Sequence, residues 1–151
     1  MQVRSIRPSD DDNYCSVLAR TSDADRYCRF FHFVDHFDAQ HVRRFVEPQP
    51  DVVGFIAVED ERPLGVAHAF LLPDGAAELA IVVAADARRR GVGAALLEHV
   101  VRAARARGWR RLVAYALHDN GAFKGLATAA GMRRIESKGN VVTWELAEQA
   151  A

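Results

Sequence analysis

Cysteine is scarce in this chain: only Cys15 and Cys28 are present, without CxxC spacing and without a His/Cys cluster around them. That excludes a disulfide framework, leaves a metal site unsupported and points to a reducing compartment, the cytoplasm. Net charge is also missing. The formal charge at pH 7 is +0, whereas a general nucleic-acid or membrane-surface binder would carry a strong basic excess. No apolar run is long enough to span a bilayer, and Met1 to Arg7 has no signal core. Repeats, linkers and low-complexity tracts are absent as well. What is present is an ordinary globular composition over 151 residues, which fits one domain, 1–151, with a sizeable core.

Val3 to Ile6 reads as a first strand. Pro8 to Asp12 then opens a helix, with Ser9 as N-cap, Asp12 at the capping-box position and Tyr14, Val17 and Leu18 facing inward. A second helical stretch covers Asp25 to Phe31. Asp38 caps a third, which buries Val42, Phe45 and Val46 and ends at Pro48 and Pro50. Val52 to Glu59 and Leu64 to Leu72 form a hairpin around Asp60-Glu61-Arg62-Pro63, and Ala76 to Val83 completes a three-stranded meander after Pro73-Asp74-Gly75. From Val92 to Arg107, apolar Val92, Leu96, Val100 and Ala103 recur near the helical period, and Gly108 ends the helix. Leu112 to Leu117 is a strand. Asn120 caps a helix through Ala130 with Phe123, Leu126, Ala127 and Ala130 on one face. Gly131 stops it, and Met132 to Ser137 and Val141 to Leu146 make a terminal hairpin. The order predicts an α/β domain with a mixed sheet.

The most informative stretch is Glu78 to Leu97, an apolar strand, a basic turn with Gly91 and Gly93, and a helix. A glycine-bearing turn entering a helix leaves backbone N–H groups without partners, and these add to the positive end of the helix dipole to make an anion site. Glycine also lets the backbone approach a bulky anion such as a diphosphate. The bland alternative is a solvated basic helix start. It is disfavoured because Arg88, Arg89 and Arg90 oppose the dipole and need another reason to be there.

Arg88-x-x-Gly91-x-Gly93 resembles the Q/R-x-x-G-x-G/A acetyl-CoA motif of the GNAT superfamily of N-acetyltransferases, placed between the fourth strand and the following helix as in that family. Asn120, Phe123, Leu126, Gly131 and Met132 are similar to its downstream helix and turn, with Met132 in place of Phe. The resemblance covers nearly the whole chain. It implies the GNAT fold, a central mixed, mostly antiparallel sheet with flanking helices. Within the superfamily, Arg26-Tyr27-x-Arg29-Phe30-Phe31 and Ala77-Glu78-Leu79-Ala80 look like segments of Pat-type bacterial protein lysine acetyltransferases, which modify AMP-forming acyl-CoA synthetases. Many GNAT members carry a tyrosine four residues before the glycine matching Gly131, as general acid. This chain has Ala127 there, as the Pat-type group also tends to lack it, and the acid is left unassigned.

The resemblance implies acetyl-CoA as acyl donor, held by Arg88, Arg89, Arg90, Gly91, Val92, Gly93 and Ala94 at its diphosphate. Main-chain groups of Ile81, Val82 and Val83 would serve the pantetheine arm, freed by splaying of the fourth and fifth strands, and Asn120 would add a hydrogen bond beside its capping role. Glu78 is the candidate general base. It is the only acid between Ala76 and Ala85, and partial burial would raise its pKa; its alternative is an outward-facing Glu paired with a cation. Tyr115 is a weaker candidate acid, more simply a half-buried strand aromatic. Tyr27, Arg29, Phe30 and Phe31 are expected to shape the acceptor side. His32, His36 and His41 read as surface or packing residues, and His68 and His118 stay unassigned. The expected reaction is direct transfer to a lysine amine of a protein, an acyl-CoA synthetase first among candidates. A small-molecule amine acceptor and a non-catalytic acyl-CoA sensor are the alternatives. No metal, nucleic acid or membrane partner is expected. Sheet-edge or terminal-hairpin pairing offers a route to a homodimer that nothing in the sequence demands.

Overall fold

The computed structural model describes residues 1–21 and 39–147. The helical stretch at Asp25 to Phe31, the cap at Asp38, Cys28, His32, His36 and the side chain of His41 lie outside the described residues.

The strands are β1 (Gln2–Ser5), β2 (Val52–Glu59), β3 (Arg62–Leu71), β4 (Ala77–Val83), β5 (Leu112–Leu117), β6 (Arg133–Lys138) and β7 (Val141–Leu146). The helices are α1 (Asp11–Ala19), α2 (Ala39–Val46), α3 (Val92–Ala106) and α4 (Gly121–Ala129). The seven strands form one sheet in the order β1-β2-β3-β4-β5-β7-β6. All neighbours run antiparallel except β4 and β5. This is the mixed, mostly antiparallel α/β sheet expected from the sequence. No described helix is long and apolar enough to cross a membrane.

Strand alternation sorts the core into two layers. On one face Leu64, Ala67, Leu79, Leu112 and Trp144 pack against Leu96, Leu97 and Val100 of α3. On the other, Ile56, Val66, Phe70, Ala80 and Val82 pack against Tyr14, Val17 and Leu18 of α1 and Val42, Phe45 and Val46 of α2. The central strand β3 is covered on both sides, which explains its nearly unbroken small and apolar run from Pro63 to Phe70.

Several local readings need correction. Ser9 does not cap α1. Pro8–Asp10 forms a 3₁₀ turn first, and the carboxylate of Asp10 instead accepts from the Arg7 N–H at 2.7 Å, from Asn13 at 3.0 Å and from both ends of the Arg4 guanidinium at 2.8 Å. The β2–β3 connection is the two-residue turn Asp60-Glu61, both at positive φ (49° and 66°), so Arg62 and Pro63 belong to β3. Ala130 is exposed beyond the end of α4. Asn120 does cap α4: its Oδ1 accepts from the Phe123 N–H at 2.9 Å.

Candidate active site

The site begins where β4 and β5 part. Their parallel pairing covers only Ala77↔Leu112, Glu78↔Val113 and Leu79↔Ala114, although β4 runs on to Val83 and β5 to Leu117. Beyond Leu79 the β5-facing edge of β4 therefore has no strand partner. Main-chain groups of Ala80 to Val83 on that edge can serve a ligand.

The chain then crosses from β4 to α3. Ala84 N–H donates to the Leu64 carbonyl at 2.9 Å, Ala85–Ala87 makes one 3₁₀ turn, and Arg88–Arg90 leads to Gly91 at φ 77°. Gly91 occupies the N-cap of α3 and has no side chain to cap it. The N–H groups of Val92, Gly93 and Ala94 in the first turn thus lack both an intrahelical acceptor and a side-chain cap. A Cβ at Gly91 would meet nothing within 4 Å, whereas one at Gly93 would lie 3.3 Å from Leu126 and 3.6 Å from Val83. The close passage of α3 against α4 and β4 thus relies on Gly93, and the left-handed turn relies on Gly91.

These elements enclose a cavity of about 620 Å³. Of the eleven residues that the sequence assigns to the acyl donor, Ile81, Val83, Arg88, Arg89, Gly91, Val92, Gly93, Ala94 and Asn120 line it. The other two do not. The Val82 side chain points to the opposite core layer, as alternation requires, so its contribution is confined to the main chain. Arg90 is turned away and ion-paired with Glu59. Ala87, Gly121, Ala122, Phe123 and Leu126 also line the cavity. The helix face holding Phe123 and Leu126 was legible, but its exposure to a cavity depends on how far α4 stands from α3. The lining is basic and rich in free amides at one end, and apolar at the split. That arrangement suits a diphosphate carrying a long, weakly polar arm, and so fits acetyl-CoA.

Glu78 sits at the vertex of the split, one residue before pairing ends. Its side chain is fully buried on the α1/α2 face of the sheet, beside Phe70 of β3 and Val113 of β5 in register. It does not line the cavity on the α3 side, so the Glu78 side chain and the cavity approach the vertex from opposite faces. Tyr115 lies on Glu78's face, one step further along the diverging β5. Ala127 is fully buried in the α3-side core.

His68 is buried in an aromatic cage, with ring centroids 5.5 Å from Tyr14, 6.0 Å from Phe45 and 5.1 Å from Phe70. Burial pushes its pKa down to about 3, so the ring is neutral. It is a packing residue. Among the described residues no group of three or more His, Cys, Asp or Glu could hold a metal ion.

Residues 19–132 match the model of the acetyltransferase (GNAT) family. The chain is similar to the GNAT domain of S. lividans PAT, with 30% identity, 95% of this chain and 88% of that one covered, and a TM-score of 0.84. It shares its fold with a ribosomal-protein-alanine N-acetyltransferase from Brucella melitensis, at 20% identity over 97% and 99% of the two chains and a TM-score of 0.79. It also shares its fold with the PaiA N-acetyltransferase of Thermoplasma acidophilum, a protein seen in complex with coenzyme A, at 13% identity over 98% of each chain and a TM-score of 0.82.

Proposed function

The chain belongs to the GNAT family of N-acetyltransferases, and from that premise we propose that it transfers acetyl from acetyl-CoA directly to a lysine amine of a protein, with AMP-forming acyl-CoA synthetases as the substrate class. The observation that carries the reading is the buried side chain of Glu78 at the vertex of a strand split that opens onto a cavity lined by Arg88, Arg89 and the uncapped start of α3. Two further points support the acceptor class. The described chain is 30% identical to the GNAT domain of S. lividans PAT, and Arg26 to Phe31 and Ala77 to Ala80 resemble Pat-type segments.

In this reading the amides of Val92, Gly93 and Ala94, with Arg88 and Arg89, hold the diphosphate. Main-chain groups of Ile81 to Val83 align the arm, and an N–H there stabilises the charge that develops on the acyl oxygen. Acetyl-CoA supplies an acyl group activated as a thioester, whose thiol, of reference pKa about 8.5, leaves readily as thiolate. The acceptor is the harder partner. A lysine of pKa about 10.4 is deprotonated in roughly one molecule in 2,500 at neutral pH, a cost of about 4.6 kcal/mol. Glu78 takes that proton, directly or through a water, as the nitrogen bonds to the acyl carbon and the carbon–sulfur bond breaks.

The test is incubation of the purified protein with acetyl-CoA and an AMP-forming acyl-CoA synthetase, followed by peptide-level mass analysis. Enzyme-dependent acetylation of one synthetase lysine is expected. Absence of that product, with polyamines or amino acids acetylated instead, would overturn the protein-acceptor reading in favour of a small amine.

A further inference from the structure

Asp86 is an acid in the wrong place on simple charge grounds. It precedes Arg88, Arg89 and Arg90, a loop that gathers positive charge around an anion cavity, and a carboxylate there repels the same anion. Its contacts supply another reason for its presence. The Arg20 guanidinium donates to Asp86 at 2.9 Å, and Arg62 pairs with the other oxygen. Arg20 is the C-cap of α1. Its other terminal nitrogen, Nη1, donates to the Pro63 carbonyl at 2.8 Å and to Ser16 Oγ at 3.1 Å, while its own carbonyl accepts from the Ala85 N–H at 2.8 Å. The turn Ala85–Ala87 is therefore fastened to α1 and to the start of β3 by both main chain and side chain. The residue that follows Asp86, Ala87, is buried and lines the cavity.

We propose that Asp86 is a positioning residue for the diphosphate cradle: held by Arg20, it fixes the turn from which Arg88 to Gly91 presents its amides and charges to acetyl-CoA. The proposal rests on the reading that the cavity binds acetyl-CoA. Its consequence runs against bare electrostatics. Removing a negative charge beside an anion site strengthens binding if charge alone matters, whereas loss of the fastening weakens it.

The experiment is calorimetric titration of CoA into wild type, Asp86→Asn, Arg20→Lys, Arg62→Ala and Gly93→Val, with steady-state kinetics on the first three. Asp86→Asn is expected to raise the Kd for CoA and the KM for acetyl-CoA about threefold to tenfold. The KM for the acceptor, kcat and the melting temperature should be unchanged. Arg20→Lys, which keeps the charge but loses the fork, is expected to weaken CoA in the same direction. Arg62, exposed and bonded to Asp86 from the solvent side, should matter less than twofold when replaced by Ala. Unchanged or tighter CoA binding by Asp86→Asn overturns the positioning role, as does a fall in kcat with no change in KM for acetyl-CoA. Gly93→Val separates the two levels. If it weakens CoA while Asp86→Asn does not, only the positioning role falls; if it leaves CoA binding intact, the cavity assignment falls and the positioning role with it.

Discussion

His68 makes acid sensitivity a direct consequence of the fold. The ring is fully buried between Tyr14, Phe45 and Phe70, and it fills the space that a side chain on the facing Gly54 would need, since a Cβ there would come within 2.8 Å of it. Its folded pKa of about 3 lies below the unfolded reference of 6.5. The unfolded chain therefore binds the proton more readily, and stability is complete above pH 6.5 and is lost as pH falls through the window from 6.5 toward 3. One unit below the unfolded pKa, at about pH 5.5, the unfolded state gains RT ln(1 + 10), about 1.4 kcal/mol. Replacing His68 with Gln removes that proton site while keeping a polar side chain of similar size. Urea unfolding of both proteins at about pH 7.5 and pH 5.5 isolates the effect, because any packing cost of the substitution is common to both pH values. Wild type should lose about 1.4 kcal/mol more than His68→Gln over this interval. Equal losses would refute the claim that burial holds His68 neutral.

Other substitutions probe separate parts of the account. Gly93→Val places branched carbons against Leu126 and Val83 at the cradle, and should weaken CoA at least about tenfold by calorimetry while far-UV dichroism stays unchanged. Asn120→Ala removes the acceptor for the Phe123 N–H and should cost about 1 kcal/mol in urea unfolding. Asp10 is buried, which opposes its charged form, but hydrogen bonds from Arg4, the Arg7 N–H and Asn13 outweigh this and hold its pKa at about 2, below the usual 3.8. Its stabilisation is present above pH 3.8 and lost as pH falls toward 2, so Asp10→Asn should lack about 2 kcal/mol at neutral pH and lose less on acidification than wild type.

The strands and the open start of α3 were readable because their signals are local. Alternation sets the faces of β4, and two glycines before an apolar-periodic run announce an open helix start. What was hidden depends on distant partners. The fate of Arg90 is decided by Glu59 on β2, and nothing near Arg90 in the sequence announces that pair. Ser9 falls inside a 3₁₀ turn, which makes Asp10 the first residue before α1, and Arg4, on β1, engages the Asp10 carboxylate that could otherwise cap the helix. The neutral state of His68 follows from α1 and α2 closing over β3, which a lone strand histidine cannot reveal. The strand split was anticipated from family resemblance, since neither β4 nor β5 carries a residue that halts pairing at Leu79 and Ala114.

The most direct test of the central claim is the single-turnover rate of acetyl transfer by Glu78→Gln, at saturating acetyl-CoA and acceptor. Gln keeps the size and polarity of the buried side chain and cannot take a proton from the amine. The account predicts a rate roughly a hundredfold to ten-thousandfold below wild type, with CoA affinity unchanged. Transfer at the wild-type rate would contradict it and remove Glu78 from the chemistry.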